Sequence, residues 1–339
     1  MKHITLILSL ILVTLARAQY TAYDLGFGDA YAINNAGTVV GYSGNTGHAF
    51  SYSGGQMTDL GTLGGTYSAA QGINSVGTIV GDSTPSGGAT YAFSYSGGHM
   101  TELLGGTSSH ASSINSAGTI VGSVYYGNWY AFSSSDGVMT LLGTLGGTTS
   151  YANGINSAGT IVGQSCPSGS SIQHAFSYSG GRMADLGTLG GMLSDAYGIN
   201  DAGTIVGEGD TSDYHGHAFS YSGGQMTDLG TLGGMGSVAY GINDAGTIVG
   251  ESGTSGYSPY HAFCYSGGKM SDLALYLASI GLTGNSQAWA INDNGDIVGD
   301  GQAADGRFHA FLLAVVPEPS AMALLALGGA ALAIARRRR

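Results

Sequence analysis

Histidine and aspartate recur in this sequence at fixed positions, and together they could carry out acid–base catalysis or bind a metal ion. Histidine precedes Ala-Phe five times, at His48, His174, His217, His261 and His309. Aspartate recurs in the segment that follows, at Asp59, Asp185, Asp228 and Asp272. Tyrosine replaces the histidine at Tyr91 and Tyr130, and a metal ligand rarely exchanges with tyrosine. We therefore interpret the histidines as structural hydrogen-bonding groups and the aspartates as acceptors for backbone N–H groups.

The other patterns also argue against catalysis. The sequence contains no CxxC, HExxH or Walker-type loop, and no GxSxG followed by a suitably placed histidine. The acidic segment from Glu208 to Asp213 comes nearest to an oxygen-rich calcium site, and a solvated loop is the favoured interpretation. Cys166 and Cys264 stand far apart in the repeat described below and are not expected to form a disulfide. The sequence predicts no catalytic residue, no metal site and no cofactor.

Aromatic residues cluster in a segment of variable length between Ile-Val-Gly and the Ala-Phe dipeptide. The candidates for ligand binding are Tyr125, Tyr126, Trp129, Tyr214, Tyr257 and Tyr260. Serine, asparagine and aspartate flank them, so the segment offers apolar stacking beside hydrogen bonds, as carbohydrate recognition requires. The alternative is that exposed tyrosines have no function in this glycine-rich chain.

A repeat must position these residues. Ile-Asn, with glycine three residues after the asparagine, occurs seven times, at Ile33, Ile73, Ile114, Ile155, Ile199, Ile242 and Ile291. Each unit has four β-prone runs, separated by Asn-x-x-Gly and Ser-Gly-Gly turns. Adjacent apolar residues such as Ile205 and Val206 indicate strands covered on both faces. The sequence predicts an all-β fold, a seven-bladed β-propeller of four-stranded blades.

The two ends of the repeat region complement each other. The third strand of the unit occurs seven times, but the fourth occurs only six times, because the chain reaches Pro317 soon after His309. Tyr20–Gly26 resembles an additional fourth strand. We expect it to close the propeller by pairing with Phe311–Val316. The segment Leu273–Leu282 is expected to form a short helix between the sixth and seventh units.

The charge of the repeat region limits its partners. Residues 19–316 contain three basic and twenty acidic residues, a net charge of about −17. Such a surface repels phosphate backbones, so nucleic acid is not expected as a partner. The composition otherwise suits a soluble extracellular protein, which we expect to be a monomer.

Targeting segments are predicted at both ends. Residues 1–18 have a basic start, an apolar stretch and Ala-Arg-Ala, which predicts a signal peptide cut by signal peptidase between Ala18 and Gln19. Residues 317–339 contain Pro317-Glu318-Pro319, the apolar stretch Ala321–Ala335 and four arginines. That order predicts a short transmembrane helix with a cytoplasmic basic end. Residues 19–316 would form the propeller between the two segments.

Two resemblances add expectations. The C-terminal segment resembles the PEP-CTERM sorting signal, which implies transient anchoring in the inner membrane, cleavage by an exosortase near Pro317-Glu318-Pro319, and transfer to the cell surface or extracellular matrix. The repeats resemble the HAF family of extracellular repeats, named for the tripeptide at His48 and its equivalents. That family is recognised by its repeat, and it implies no particular reaction.

The leading functional hypothesis is an exported, surface-displayed, non-enzymatic propeller for adhesion or for binding carbohydrate in an exopolysaccharide or biofilm matrix. One alternative is a secreted carbohydrate-active enzyme, a glycosidase or lyase. It would use the clustered carboxylates Glu208, Asp210, Asp213 and Glu251. A second alternative is a passive structural surface protein without a ligand.

Overall fold

The computed structural model describes residues 20–104, 108–256 and 258–316. The chain divides into two compact units, one of which is Ala22–Ala314. The other combines the two ends of the chain, and the described residues in it are Tyr20, Thr21, Val315 and Val316. The predicted processing residues lie outside the described residues: Ala18, Gln19, Pro317, Glu318 and Pro319.

Strands make up almost all of the described structure and follow the repeat. The first two repeats contain β1 (Tyr20–Ile33), β2 (Val39–Ser43), β3 (His48–Ser53), β4 (Gln56–Asp59), β5 (Tyr67–Ile73), β6 (Ile79–Thr84), β7 (Tyr91–Ser96) and β8 (His99–Glu102). The third and fourth contain β9 (Ser109–Ile114), β10 (Ile120–Tyr125), β11 (Trp129–Ser135), β12 (Val138–Gly143), β13 (Gly146–Ile155), β14 (Ile161–Pro167), β15 (His174–Ser179) and β16 (Arg182–Asp185).

The later repeats continue this order. The fifth and sixth contain β17 (Gly190–Ile199), β18 (Ile205–Thr211), β19 (Gly216–Ser222), β20 (Gln225–Asp228), β21 (Ser237–Ile242), β22 (Ile248–Gly253), β23 (Tyr260–Ser266) and β24 (Lys269–Asp272). The helix α1 (Ala274–Ala278) follows, which confirms the short helix expected between the sixth and seventh units. The seventh repeat contains β25 (Leu282–Ile291), β26 (Ile297–Ala303) and β27 (Phe308–Val315).

The strands of the described chain form six sheets, five of four strands and one of seven. The seven-stranded sheet has the order β25-β26-β27-β1-β2-β3-β4, so the seventh and first repeats share it. The prediction of seven separate four-stranded blades is therefore wrong: this β-propeller has five blades of four strands each. The reason lies in β1. Asn34 follows Asp24 by ten residues whereas Asn74 follows Asp59 by fifteen, so the connection is too short to leave the sheet as a loop.

The early part of β1 lies beside β27, and one side-chain pair marks the place. β27 is hydrogen-bonded to β1, and the His309 Nδ1 atom lies 3.0 Å from Asp24 Oδ2. The first repeat makes the same contact internally, between His48 and Asp59 at 3.0 Å. The start of the chain thus supplies the aspartate that the seventh repeat lacks, and it covers the edge of β27.

The histidine–aspartate pair has a structural role in the five repeats that contain it. The His Nδ1 to Asp Oδ2 distances lie between 2.8 and 3.0 Å. Asp59 Oδ1 also accepts a hydrogen bond of 2.8 Å from the Gly61 backbone N–H, which confirms the predicted role of the aspartates. In the second repeat Tyr91 replaces the histidine, and Glu102 stands at the aspartate position opposite Phe93. The histidine position and the aspartate position therefore change together in this repeat.

The core lies between neighbouring sheets. The phenylalanine of the third strand is buried in every repeat. Ile205 packs against residues of the fourth repeat, while the adjacent Val206 packs against residues of the sixth. Both residues are almost completely buried, which confirms that this strand is covered on both faces.

The predicted C-terminal transmembrane helix falls on residues that the structure does not describe. Within residues 20–104, 108–256 and 258–316, no helix is long and apolar enough to cross a membrane. The stretch Ala321–Ala335, for which that helix was predicted, lies outside these residues.

A closed ring of asparagines joins the repeats at their turns. In each Ile-Asn turn, the asparagine Oδ1 accepts backbone N–H groups of its own turn, as Asn156 does from Thr160 at 2.9 Å. Its Nδ2 group donates to the backbone oxygen of the next asparagine, at distances of 3.0 to 3.3 Å. The members are Asn34, Asn74, Asn115, Asn156, Asn200, Asn243 and Asn292. Because Asn292 donates to Asn34, the ring has no open end.

Replacing one ring amide with a carboxylate tests this network. Asn156→Asp keeps the acceptor for its own turn but removes the donor to the Asn200 oxygen. Because all seven asparagines are buried, we expect the free energy of unfolding to fall by about 1–3 kcal/mol. Urea denaturation of the full chain measures this change.

The matched control is Asn45→Asp. This residue is exposed in the loop between β2 and β3, and its substitution adds the same charge. We expect a change within about 0.5 kcal/mol. Equal effects of the two substitutions would show that the ring adds nothing to stability.

Candidate functional site

A β-bulge interrupts the first strand of every repeat at the same place. The register of β1 against β2 shifts between Ala30 and Ala32, which leaves Tyr31 as an extra residue. Equivalent shifts occur in the other six first strands. The extra residues are Tyr31, Gln71, Ser112, Asn153, Tyr197, Tyr240 and Trp289. A bulge turns the side chain of its extra residue away from the regular alternation of the strand.

The seven bulge residues line one cavity of about 570 Å³. All seven repeats contribute to its wall through their first strands, so these strands lie innermost. The volume falls within the range of ~300–1,000 Å³ that is usual for small-molecule sites. Glycine, alanine and isoleucine of the same strands complete much of the wall, with Asp82 and His110 as titratable neighbours.

Four aromatic bulge residues follow one another around the cavity, and we call them the aromatic arc: Tyr197, Tyr240, Trp289 and Tyr31. Their ring centroids are separated by 5.4 Å between Tyr197 and Tyr240 and by 4.3 Å between Tyr240 and Trp289. Trp289 and Tyr31 meet edge to face at 5.9 Å. The other three bulge residues are Gln71, Ser112 and Asn153, so the bulge residues on one side of the cavity are aromatic and those on the other are polar and uncharged, with Asp82 and His110 beside them.

Carboxylates accept the polar hydrogens of three residues of the arc. The Tyr240 hydroxyl donates to Glu251 Oε1 at 2.9 Å, and the Tyr31 hydroxyl donates to Asp29 Oδ2 at 3.1 Å. The Trp289 indole N–H donates to Asp300. These bonds hold the rings in place, and they put carboxyl groups next to the arc.

Burial is the main cause of raised pKa values among these carboxylates. Burial, with a smaller contribution from Asp29 and Glu251, raises the pKa of Asp300 to about 7. Burial and the nearby Asp195 raise the pKa of Glu208 to about 7, and burial raises that of Asp195 to about 6. The pKa values of Asp29 and Glu251 are raised for the same reason.

The tyrosines of the arc remain neutral at physiological pH. Burial, followed by the neighbouring carboxylates, raises the pKa values of Tyr31, Tyr197 and Tyr240 well above the ordinary value. On the polar side of the cavity, His110 Nδ1 lies 3.8 Å from Asp82 Oδ1.

Two of the sequence-predicted binding residues come together with partners that were not predicted. Tyr125 and Trp129 face each other across β10 and β11, with ring centroids 5.5 Å apart. Trp129 also lies 6.2 Å from Tyr151 of the fourth repeat and 5.3 Å from His110. We call Tyr125, Trp129 and Tyr151 the rim cluster. It reaches the cavity through His110, which belongs to the cavity wall.

The other predicted binding residues are distributed over several repeats. Tyr126 is exposed in the turn beside the rim cluster, where its N–H donates to Asn128 O at 2.9 Å. Tyr214 is 70% exposed at a positive φ of 65°, in the β18–β19 turn of the fifth repeat. Tyr260 begins β23 in the sixth repeat, where its N–H donates to Asn285 Oδ1 at 3.0 Å. Tyr257 lies outside the described residues.

The four carboxylates proposed for an enzymatic alternative are only partly brought together. Glu208 lies within electrostatic reach of Asp210 and Glu251. Asp213 is exposed in the β18–β19 turn, where the Thr211 hydroxyl donates to it and lowers its pKa.

The bulge residues are the functional candidates that the sequence analysis missed. The signal was present: alanine precedes each bulge residue, and a small residue followed by Ile-Asn comes after it. Between these nearly constant neighbours, the bulge position holds tyrosine, glutamine, serine, asparagine or tryptophan. A position that varies while its neighbours stay nearly constant lies on a surface that the packing of the core does not require.

One comparison with known proteins supports the C-terminal motif. Residues 315–339 match the PEP-CTERM protein-sorting motif. No curated protein matches the chain. The resemblance of the repeats to the HAF family therefore stays a prediction.

Solved structures resemble the chain at low identity. TolB from Acinetobacter baumannii is 12% identical, with a TM-score of 0.46 over 86% of this chain and 65% of its own. A putative TolB from Agrobacterium tumefaciens is 10% identical, with a TM-score of 0.46, and the match covers 89% of this chain and 100% of that protein. A puromycin-hydrolyzing peptidase from Mycobacterium tuberculosis is 12% identical, with a TM-score of 0.49, and the match covers 84% of this chain and 52% of that protein. The chain thus spans less than two thirds of the first and third proteins, and these similarities carry no argument about activity.

The raised pKa values predict that stability depends on pH. The unfolded chain loses the carboxyl protons near pH 4, whereas the folded protein keeps those of Glu208 and Asp300 until about pH 7. The folded state binds more protons in this interval, so the free energy of unfolding falls as the pH rises from about 4 to about 7. At about 1.4 kcal/mol per pKa unit, each of the two groups contributes a few kcal/mol.

Urea denaturation at several pH values measures this effect. The isosteric double variant Glu208→Gln/Asp300→Asn should show a smaller decrease over the interval than the unchanged protein. The exposed pair Asp136→Asn/Asp305→Asn is the matched control, and it should leave the slope unchanged. If the free energy of unfolding changed equally with pH in all three proteins, Glu208 and Asp300 would have the same pKa values in the folded and the unfolded chain.

Proposed function

We propose that this protein is an exported, surface-displayed, non-enzymatic binding protein whose propeller holds an extracellular polysaccharide of an exopolysaccharide or biofilm matrix. The observation that carries this proposal is the rim cluster, an aromatic surface that contacts His110 of the cavity wall. The PEP-CTERM motif at residues 315–339 supports export and sorting. Adhesion of the cell to its matrix would follow from such binding.

The rim cluster has the properties that sugar stacking needs. Sugars present apolar C–H faces, which pack on aromatic rings, while hydroxyl groups require hydrogen-bond partners nearby. Trp129 is only half-buried, and its ring contacts with Tyr125, Tyr151 and His110 hold it in one orientation. A surface that is already ordered loses little entropy when it binds a ligand.

Two processing steps would bring the protein to its destination. Signal peptidase would cleave between Ala18 and Gln19 during export. An exosortase would then cleave near Pro317-Glu318-Pro319 at the inner membrane, within the matched motif. The processed protein would reach the cell surface or the surrounding matrix.

The position of the carboxylates favours binding over catalysis. Asp29, Glu251 and Asp300 accept hydrogen bonds from aromatic residues of the arc. In these contacts the carboxylates stabilise the cavity wall. Asp82 is the carboxylate among the cavity-lining residues that the structure describes. A glycosidase needs two carboxyl groups that face the scissile bond together.

A carbohydrate-active enzyme is the second candidate function, and one observation favours it. Asp195 and Glu208 are register partners on β17 and β18, with pKa values raised to about 6 and about 7. A carboxyl group with such a pKa can act as a general acid at neutral pH. Turnover of a matrix polysaccharide that disappears in Glu208→Gln would establish this function in place of the first.

Removing the indole of the rim cluster tests polysaccharide binding. The full chain is titrated with a panel of purified bacterial exopolysaccharides, with calcium and with a chelator. We expect saturable binding to at least one polymer and about tenfold weaker binding by Trp129→Ala, because a buried aromatic contact of this kind is worth about 1–2 kcal/mol.

Tyr23→Ala is the matched control. Tyr23 is an exposed aromatic residue in the early part of β1 and is not among the cavity-lining residues. It should leave the affinity unchanged. Absence of saturable binding to every polymer, or full affinity in Trp129→Ala, would contradict the proposal and favour a passive structural role.

A further inference from the structure

The cavity carries a feature that polysaccharide binding at the rim cluster does not use. Four of the seven bulge residues are aromatic, and they are consecutive around the wall, from Tyr197 through Tyr240 and Trp289 to Tyr31. These rings are not part of the core, because the core between the sheets consists of other residues. Burial of the rings therefore does not explain the bulges. Their common property is that they line the same open volume.

We infer that this cavity binds an organic ammonium ion, which the aromatic arc encloses on one side while the polar bulge residues hold a hydrogen-bonding group of the same ligand on the other. Aromatic faces attract ammonium ions electrostatically within about 6 Å of the ring centre. Several rings that share one cavity add their attractions, as in the aromatic cages that recognise quaternary ammonium groups.

The hydrogen bonds of the arc strengthen this attraction. Tyr240 donates its hydroxyl proton to Glu251, and Tyr31 donates its own to Asp29. A phenol or indole that donates to a carboxylate becomes richer in electron density, so its ring face attracts a cation more strongly. When these carboxyl groups are ionised they also add a negative potential, which a low-dielectric wall focuses into the cavity.

No lysine or arginine of the described chain lies among the cavity-lining residues, so the negative potential is not neutralised from within. Arg182 and Lys269 are exposed at the starts of β16 and β24. Arg307 lies over the Phe27 ring at 5.4 Å and close to Asp305. The cationic group that complements the cavity would therefore come from a ligand.

The composition of the wall favours an organic cation over a metal ion. Within the described residues, no group of three or more His, Cys, Asp or Glu side chains is arranged to hold a metal. Aromatic rings do not replace the oxygen ligands that a hard cation loses on binding. The volume of about 570 Å³ also leaves space for a substituted ammonium ion with a polar group at its other end, opposite Gln71, Ser112 and Asn153.

This inference does not rest on the proposed function, because different residues carry the two sites. Calorimetric titration of the full chain with choline is the direct test, and 3,3-dimethylbutan-1-ol is the matched ligand. The two molecules have the same shape and hydroxyl group, but only choline is charged. We expect saturable binding of choline, and binding of the neutral alcohol at least tenfold weaker.

Two variants locate the binding. Trp289→Leu removes one of the two inner rings of the arc, and we expect at least tenfold weaker choline binding. Glu251→Gln keeps an acceptor for Tyr240 but removes the charge, so we expect a loss of about threefold to tenfold without unfolding. Tyr23→Leu is the matched control and should bind choline like the unchanged protein.

The binding should also release protons. The titratable groups around the cavity are Asp29, Asp82, His110, Asp195, Glu208, Asp210, Glu251, Asp300, Tyr31, Tyr67, Tyr197 and Tyr240. A bound cation favours the ionised carboxylates, so affinity should rise between about pH 6 and pH 8. Titrations in two buffers with different ionisation enthalpies count the released protons.

Equal affinity for choline and its neutral counterpart would overturn the inference, because the cavity would then select shape and not charge. Absence of saturable choline binding would overturn it as well. Loss of choline binding in Trp289→Leu with unchanged polysaccharide binding would support two separate sites.

Discussion

The ring of seven asparagine amides is the constraint on which the rest of the structure depends. Each amide serves two purposes, because Oδ1 fixes its own turn while Nδ2 reaches the next repeat. The hydrogen bonds link residues 40 to 49 positions apart, and one bond from Asn292 to Asn34 connects the last repeat to the first. The ring therefore holds the first strands of all repeats at a common level.

A cavity with variable walls follows from this constant frame. Since alanine before the bulge and Ile-Asn after it are nearly fixed in each repeat, the bulge residue can change without disturbing the core. The aromatic arc and the polar residues opposite it occupy structurally equivalent positions in different repeats. Single substitutions at the bulge positions can thus make the cavity wall aromatic, polar or charged. The same repeat can in this way form binding cavities of different chemistry.

The sequence predicts the repeated parts of this fold better than the places where repeats differ. The turns, the covered strand at Ile205 and Val206, and the structural role of Asp59 follow from residues that recur. The number of separate blades was wrong because one short connection, between Asp24 and Asn34, keeps β1 in a single sheet. The arc was missed because strand alternation alone does not place Tyr240 or Trp289, whose orientation depends on a bulge. The raised pKa of Glu208 depends on neighbours in other strands and repeats, which spacing does not reveal.

A crystal structure of the protein, at a resolution that orients side-chain amides, tests the closed asparagine ring most directly. We expect seven Nδ2–O contacts near 3.0–3.3 Å, including the one from Asn292 to Asn34, with the seven bulge side chains around one cavity. A gap between Asn292 and Asn34, or first strands without bulges, would contradict this expectation. In that case the asparagine amides would not hold the repeats at a common level, and the bulges would not form the cavity wall.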